Sequence, residues 1–279
     1  MTESKVWFKV GDNDEFDPTD QISGLRFMGI DNASSSPQWT NTYNDQPGLD
    51  GSPFAFQTLG KRTLIAKFWL HFTDYQDFVL AKHDIYQLFG HRKAIRIRTD
   101  SSPDKVFFAY VTPFDIAPIA DGANDANISI PFDVPNGVYY SMHRSDHQDN
   151  PRQFGQNLLA GDQPFYEFRT SNFKVYNDSD ITVDPYHQRH DLKLIISFGG
   201  DKFAIKNTTT NTSMEYKKSI GGSSLIWDGQ SLTWYKDGKN DNTNADDGYL
   251  TLDPGWNNIT IDGANNVDVT FSFPSIYLL

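Results

Sequence analysis

Two histidine clusters are the first places in this sequence to look for chemistry. His187-Gln-Arg-His190 is flanked by Asp184 and Asp191, and imidazoles beside carboxylates are the ligand set of zinc and its neighbours. The three-residue step does not match the four-residue step by which a helix offers two histidines to a metal. With no third ligand motif nearby, the plainer reading is a solvated polar loop between strands. His143 and His147, with Asp146 between them, have the four-residue step but no helix signal to use it. The run Asp237 to Gly248 is rich in calcium-type oxygens, yet Lys239 and Asn242 stand where a calcium loop needs an oxygen ligand and a glycine. It reads as a long hairpin loop. Trp227, Trp234 and Tyr235, with Trp256, are candidates for stacking on sugar rings, although strand aromatics more often serve the core.

No catalytic residue emerges. The nucleophile-elbow, P-loop and dinucleotide-binding motifs are missing. A glycosidase pair needs a carboxyl group in an apolar setting to raise its pKa, and nearly every aspartate here sits in turn-like sequence. The absence of cysteine excludes thiol catalysis, disulfides and zinc fingers. The expectation is a protein with no enzyme activity, no metal and no cofactor.

The framework is β. Only four of the 36 acidic residues are glutamates (Glu3, Glu15, Glu167 and Glu215), which leaves 32 aspartates. Aspartate competes for backbone N–H groups, so it disfavours helix interiors and favours turns. The net charge of −12 argues against nucleic-acid binding, and its even division, −6 in each half, suits solubility. The N-terminus lacks a signal-peptide pattern, and no apolar run is long enough to span a membrane. A soluble protein made in the cytoplasm is expected. The six Asn-x-Ser/Thr sequons then reflect composition alone.

In the first half, strands are predicted at Lys5–Val10, Leu25–Ile30, Arg62–Phe72, Ala94–Thr99, Val106–Val111 and Asn127–Phe132. Asp31–Pro53 reads as an exposed loop or arm with a partner-binding role. Arg62–Phe72 is apolar on both faces, which predicts a sheet covered on both sides. One helix follows: Thr73 and Gln76 have capping-box spacing, apolar residues recur from Tyr75 to Phe89, and Gly90 suits a stop.

Strand pattern lapses from Ser141 to Asp162, which predicts two domains, 1–155 and 156–279. The second is a run of short strands: Phe173–Tyr176, Leu192–Phe198, Phe203–Asn207, Leu225–Trp227, Leu232–Tyr235, Tyr249–Leu252, Asn258–Ile261 and Val267–Phe273. Gly199-Gly200, Asp228-Gly229, Asp237-Gly238 and Asp262-Gly263 supply the turns, giving an antiparallel sandwich.

The closing segment carries a resemblance. Leu252, Pro254, Gly255 and Asn257 form a Leu-x-Pro-Gly-x-Asn turn, followed by Ile259 and Ile261, the alternating Val267–Phe273 and the final Tyr277-Leu-Leu279. Phe173-Lys-Val-Tyr-Asn177 and Phe203-Ala-Ile-Lys-Asn-Thr208 lie upstream, after the strand–helix–strand order of the first half. This pattern resembles the distal tail proteins of long-tailed, non-contractile siphophages and prophages of Gram-positive bacteria. The resemblance implies a mainly β chain with one helix, an N-terminal belt domain that forms a ring, and a C-terminal galectin-like β-sandwich. It also implies a homo-hexamer at the virion's tail tip, assembled in the host cytoplasm. Its partners would be the tail tube protein, the tape measure protein, the hub or tail-associated lysin, and a receptor-binding protein. DNA would pass through the ring without being bound, and no membrane would be engaged. On this reading Arg62–Leu70 and Ala94–Thr99 are the belt strands that pair between subunits, with Arg96 and Arg98 as interface residues. The alternative is a soluble carbohydrate-binding sandwich that engages cell-wall sugars through Trp227, Trp234 and Tyr235.

Overall fold

The computed structural model describes residues 4–31, 36–48, 50–147, 156–157 and 164–278. It forms two compact units, Met1–Tyr139 with Leu278–Leu279, and Tyr140–Tyr277. The boundary expected between 155 and 156 falls at the edge of a stretch outside the described residues, as do parts of the Asp31–Pro53 segment.

The first unit contains β1 (Val6–Val10), α1 (Pro18–Gln21), β2 (Leu25–Asp31), β3 (Trp39–Tyr43), β4 (Phe54–Leu59), β5 (Arg62–His71), α2 (Tyr75–Phe89), β6 (Ile95–Thr99), β7 (Ser102–Val111) and β8 (Asp125–Val134). A short strand, β9 (Tyr139–Ser141), follows. The main sheet runs β1-β6-β7-β8-β5-β2, antiparallel at every pairing. Its inner face follows from strict alternation: Leu64, Ala66, Phe68 and Leu70 of β5 are buried, as are Ile128, Ile130 and Phe132 of β8. Helix α2 lays Phe78, Ala81, Ile85 and Phe89 on that face. Phe89 meets Phe8 at 5.0 Å and Phe132 at 5.9 Å between ring centroids. Each such ring is worth about 1.5–3 kcal/mol when fully buried.

Two expectations need correction here. The outer face of β5 is not covered: Thr63, Lys67 and His71 are exposed, and Ile65 and Trp69 are half-buried. Its apolar content had suggested a second covering layer. The helix cap is displaced by one residue, because Asp74 is the N-cap and accepts the Asp77 N–H at 2.9 Å. The Asp77 carboxylate reaches back to the Thr73 N–H at 2.8 Å, so the box is Asp–Asp rather than Thr–Gln. An aspartate is the better acceptor at the positive helix end. Entry to β2 depends on Gly24 at φ +74°, where a Cβ would lie 2.1 Å from the His71 carbonyl oxygen.

The second unit contains β10 (Glu167–Phe168), β11 (Asn172–Asn177), α3 (Pro185–Gln188), β12 (Lys193–Gly199), β13 (Phe203–Asn207), β14 (Thr212–Tyr216), β15 (Leu225–Asp228), β16 (Thr233–Lys236), β17 (Lys239–Asn240), β18 (Gly255–Asp262), β19 (Asn265–Ser272) and β20 (Ile276–Tyr277). Two antiparallel sheets, β10-β19-β12-β15-β16-β17 and β11-β18-β13-β14, face each other. Phe168 stacks on Phe173 across them at 4.0 Å, and Trp234 meets Tyr216 at 5.5 Å. The expected mainly β class with one long helix is thus the fold observed.

Tyr249–Leu252 is not a strand; Leu252 makes a single bridge to Val183. Buried asparagine side chains take its carbonyls instead. Asn207 Nδ2 donates to Thr251 O at 2.7 Å, and Asn177 Nδ2 donates to Leu252 O at 2.8 Å. Asn257 closes the following turn, accepting from Asp253 N–H and donating to Asp253 O at 2.9 and 2.7 Å. Gly255, at φ +88°, takes the left-handed position that the turn requires.

Candidate interaction surfaces

The side chains singled out for chemistry are mostly committed to the fold. His190 is buried and donates from Nε2 to the Pro274 carbonyl at 2.9 Å. Burial pulls its pKa down to about 4, so the ring is neutral. This corrects the solvated-loop reading for His190. His187 is solvated as expected, but it lies in the short helix α3 rather than in a loop, beside Asp184 at 2.7 Å. Among the described residues no three His, Asp or Glu side chains gather into a metal-holding group.

The Asp237–Gly248 loop is held from within. Asp241 accepts from the Tyr216 hydroxyl and from Asn244. Asp246 accepts from Glu215 N–H at 2.9 Å and Gly248 N–H at 3.1 Å. Burial first, and then the bond to Asp241, pushes the Tyr216 pKa up. Asp241 and Asp246, two of the carboxylates that suggested calcium, serve backbone, hydroxyl and amide donors.

Trp227 and Trp234 are directly cross-strand from each other and fully buried, 0% and 1% exposed. They cannot stack on a sugar, because strand alternation turns both into the sandwich. Tyr235 points the other way and is half-exposed. The rationale for sugar stacking on the two tryptophans therefore falls.

Arg96 and Arg98 grip Glu15 of the same chain. Arg96 Nη2 is 2.9 Å from Oε1, and Arg98 Nη2 is 2.6 Å from Oε2. Arg98 also lies 4.2 Å from the centroid of the Trp7 ring. Burial acts to raise the Glu15 pKa, but Arg98 and then Arg96 outweigh it and hold it below the usual carboxylate value. Both strands assigned to edge pairing are interior: β5 lies between β2 and β8, and β6 between β1 and β7. Neither offers a free edge to a neighbour, which corrects that assignment.

The available surfaces lie elsewhere, and the segment read as an arm supplies the first strand of the main one. Strands β3 and β4 form a two-stranded sheet of their own. It is closed at its base by Gly60 N–H to Gln38 O at 2.6 Å. Trp39 (43%), Tyr43 (50%), Phe54 (59%) and Phe56 (55%) are exposed along it. The register puts Tyr43, Phe54 and Phe56 on one face and Trp39 on the other, and three large aromatics on one face of an isolated hairpin make the kind of patch that marks a protein contact. Their concentration in otherwise polar sequence was the available signal; the lack of alternation hid the strands. Strand β2 ends the main sheet, pairs among the described residues with β5 alone, and carries exposed Met28. At the opposite edge, β1 is bridged to Phe16 through Phe8.

Residues 17–134 match the family model of the phage tail protein RIFT-related domain. None of the curated proteins matches the chain in sequence. In fold, the chain is similar to the Dit protein of phage SPP1, described as a paradigm of the hub adsorption apparatus of phages that infect Gram-positive bacteria. The TM-score is 0.70 at 9% identity, over 96% of this chain and 98% of that one. A chain of the phage p2 baseplate, in its activated conformation with strontium, gives a TM-score of 0.47 at 10% identity, over 96% and 97%. The same baseplate with calcium gives 0.47 at 10%, over 97% and 98%. The match to the tail-protein model and the likeness to a siphophage distal tail fold agree with the resemblance read from the closing segment.

Proposed function

We propose that the chain is a structural subunit of a siphophage tail tip, six copies of which form a ring around the DNA channel. The ring joins the tail tube protein and tape measure protein to the hub or tail-associated lysin and to receptor-binding proteins. It acts by assembly rather than by catalysis, in the virion, after assembly in the host cytoplasm. The observation that carries this reading is the tail-domain match over residues 17–134 inside a chain that resembles the SPP1 Dit fold over 96% of its length.

The physical features support it. A net charge of −12 suits a channel wall along which DNA slides without sticking. The free edge of β2 and the aromatic β3–β4 hairpin supply the contacts a ring needs, in place of β5 and β6.

Negative-stain images of the purified chain, alone and mixed with its tail tube protein, test the proposal. Six-fold rings are expected in at least one of the two samples. A chain that stays monomeric in both would overturn it.

A further inference from the structure

In the second unit, α3 and the turn between β15 and β16 flank an open cleft of about 500 Å³, lined by Pro185, Tyr186, Arg189, Gln230, Ser231 and Leu232. Its wall is built rather than incidental. Asp184 caps α3 by accepting from Tyr186 N–H at 2.9 Å and His187 N–H at 3.1 Å. Gly229 brings the opposing turn close, since a Cβ there would lie 2.9 Å from Pro185 Cβ and 2.7 Å from Leu192 O. The Tyr186 ring is stacked on Tyr249 at 5.3 Å and 17°, yet the residue remains 57% exposed. The His187 ring meets it edge-on at 5.0 Å and 79°, so two rings hold this exposed aromatic platform in place.

Backbone strain gathers at the same cleft. Six non-glycine residues among those described have positive φ. Four are Asn or Asp, whose short polar side chains tolerate the left-handed region. The other two are Arg189 at φ 51° and Leu232 at φ 52°, and both line this cleft. Arg189 is the left-handed C-cap that stops α3, and this conformation sets where its side chain leaves the chain beside the cleft. Arg189 and Gln230 are exposed and engage no other described side chain, while Ser231 donates to Asp228 at 2.7 Å.

We propose that this cleft binds a saccharide bearing an anionic substituent. The sugar's C–H face lies on Tyr186, the phosphate or carboxylate pairs with Arg189, and Gln230 and Ser231 take ring hydroxyls. The proposal does not depend on ring assembly, and it assigns the sugar-binding role to residues other than the buried tryptophans.

Calorimetric titration of the full chain with glucose phosphate, glucuronic acid, glucose and inorganic phosphate tests it. At least one acidic sugar should bind about tenfold more tightly than glucose or inorganic phosphate. Tyr186→Ala and Arg189→Gln should each weaken that binding by about tenfold. Tyr186→Phe keeps the ring face and should retain affinity, and Trp256→Ala, an exposed aromatic outside the cleft, should leave it unchanged. Thermal melts confirm that each variant is folded. Binding of whichever acidic sugar gives the signal identifies phosphate or carboxylate as the preferred anion. The proposal is overturned if neither acidic sugar binds, if glucose or inorganic phosphate binds as tightly, or if Tyr186→Ala and Arg189→Gln bind like the native chain.

Discussion

His190 shows how a residue type that suggests chemistry can be spent on stability instead. Its ring is buried and neutral, with a folded pKa of about 4 against an ordinary 6.5. Below pH 6.5 the unfolded chain takes up a proton that the folded chain refuses. The contribution is therefore fully present above pH 6.5 and is lost as pH falls towards 4. The loss is about 1.4 kcal/mol per pH unit within that window. Replacing His190 with Gln should remove one proton's worth of that slope in urea unfolding measured across the window; an unchanged slope would locate the acid sensitivity elsewhere. Asn257 is a second case, legible in part. The Leu-x-Pro-Gly-x-Asn turn marked it in the sequence, but only the structure gives its work: a wholly buried amide that bonds Asp253 and Gly255 and accepts from Asn207 at 3.0 Å. Asn257→Ala strands these partners and should cost about 1–3 kcal/mol, read as a lower urea midpoint.

At the scale of elements, alternation and capping identified the secondary structure well where one face is buried, and poorly where neither is. β12, β13 and β19 have one apolar face each and fall close to where alternation put them. β3 and β4 have no buried face, so no period of two marks them. Tyr249–Leu252 has the opposite fault: it alternates, but Asn177 and Asn207 take its carbonyls and it pairs with no ladder. The metal-like and sugar-like clusters failed for a common reason, since sequence spacing does not say which way a side chain points. The helix cap is a one-residue matter that mutagenesis resolves. Asp74→Ala should lower stability by about 1 kcal/mol. Gln76→Ala, which leaves the Asp74–Asp77 pair intact, should leave the denaturation midpoint where it is. Equal effects at the two positions would contradict the Asp–Asp box.

For the molecule as a whole, the question is which parts hold the fold and which are spent on assembly. The β3–β4 hairpin is separable on physical grounds. It forms its own sheet, its two ends are joined by the Gly60–Gln38 hydrogen bond, and its aromatics remain largely in solvent. Large apolar side chains left outside add little to folding, but they become worth about 25 cal/mol for each Å² covered when a partner buries them. Changing Tyr43, Phe54 and Phe56 together to Ser should therefore leave the melting temperature nearly unchanged. In the ring reading, the same change should abolish six-fold particles in negative stain and shift the mass measured by light scattering to that of the monomer. A variant that melts much earlier would show that the hairpin aromatics pack into the fold. One that melts normally and still forms rings would move the joint to the β2 edge, where Met28→Lys is the corresponding change: a lysine on an edge strand is a standard obstacle to strand pairing between chains.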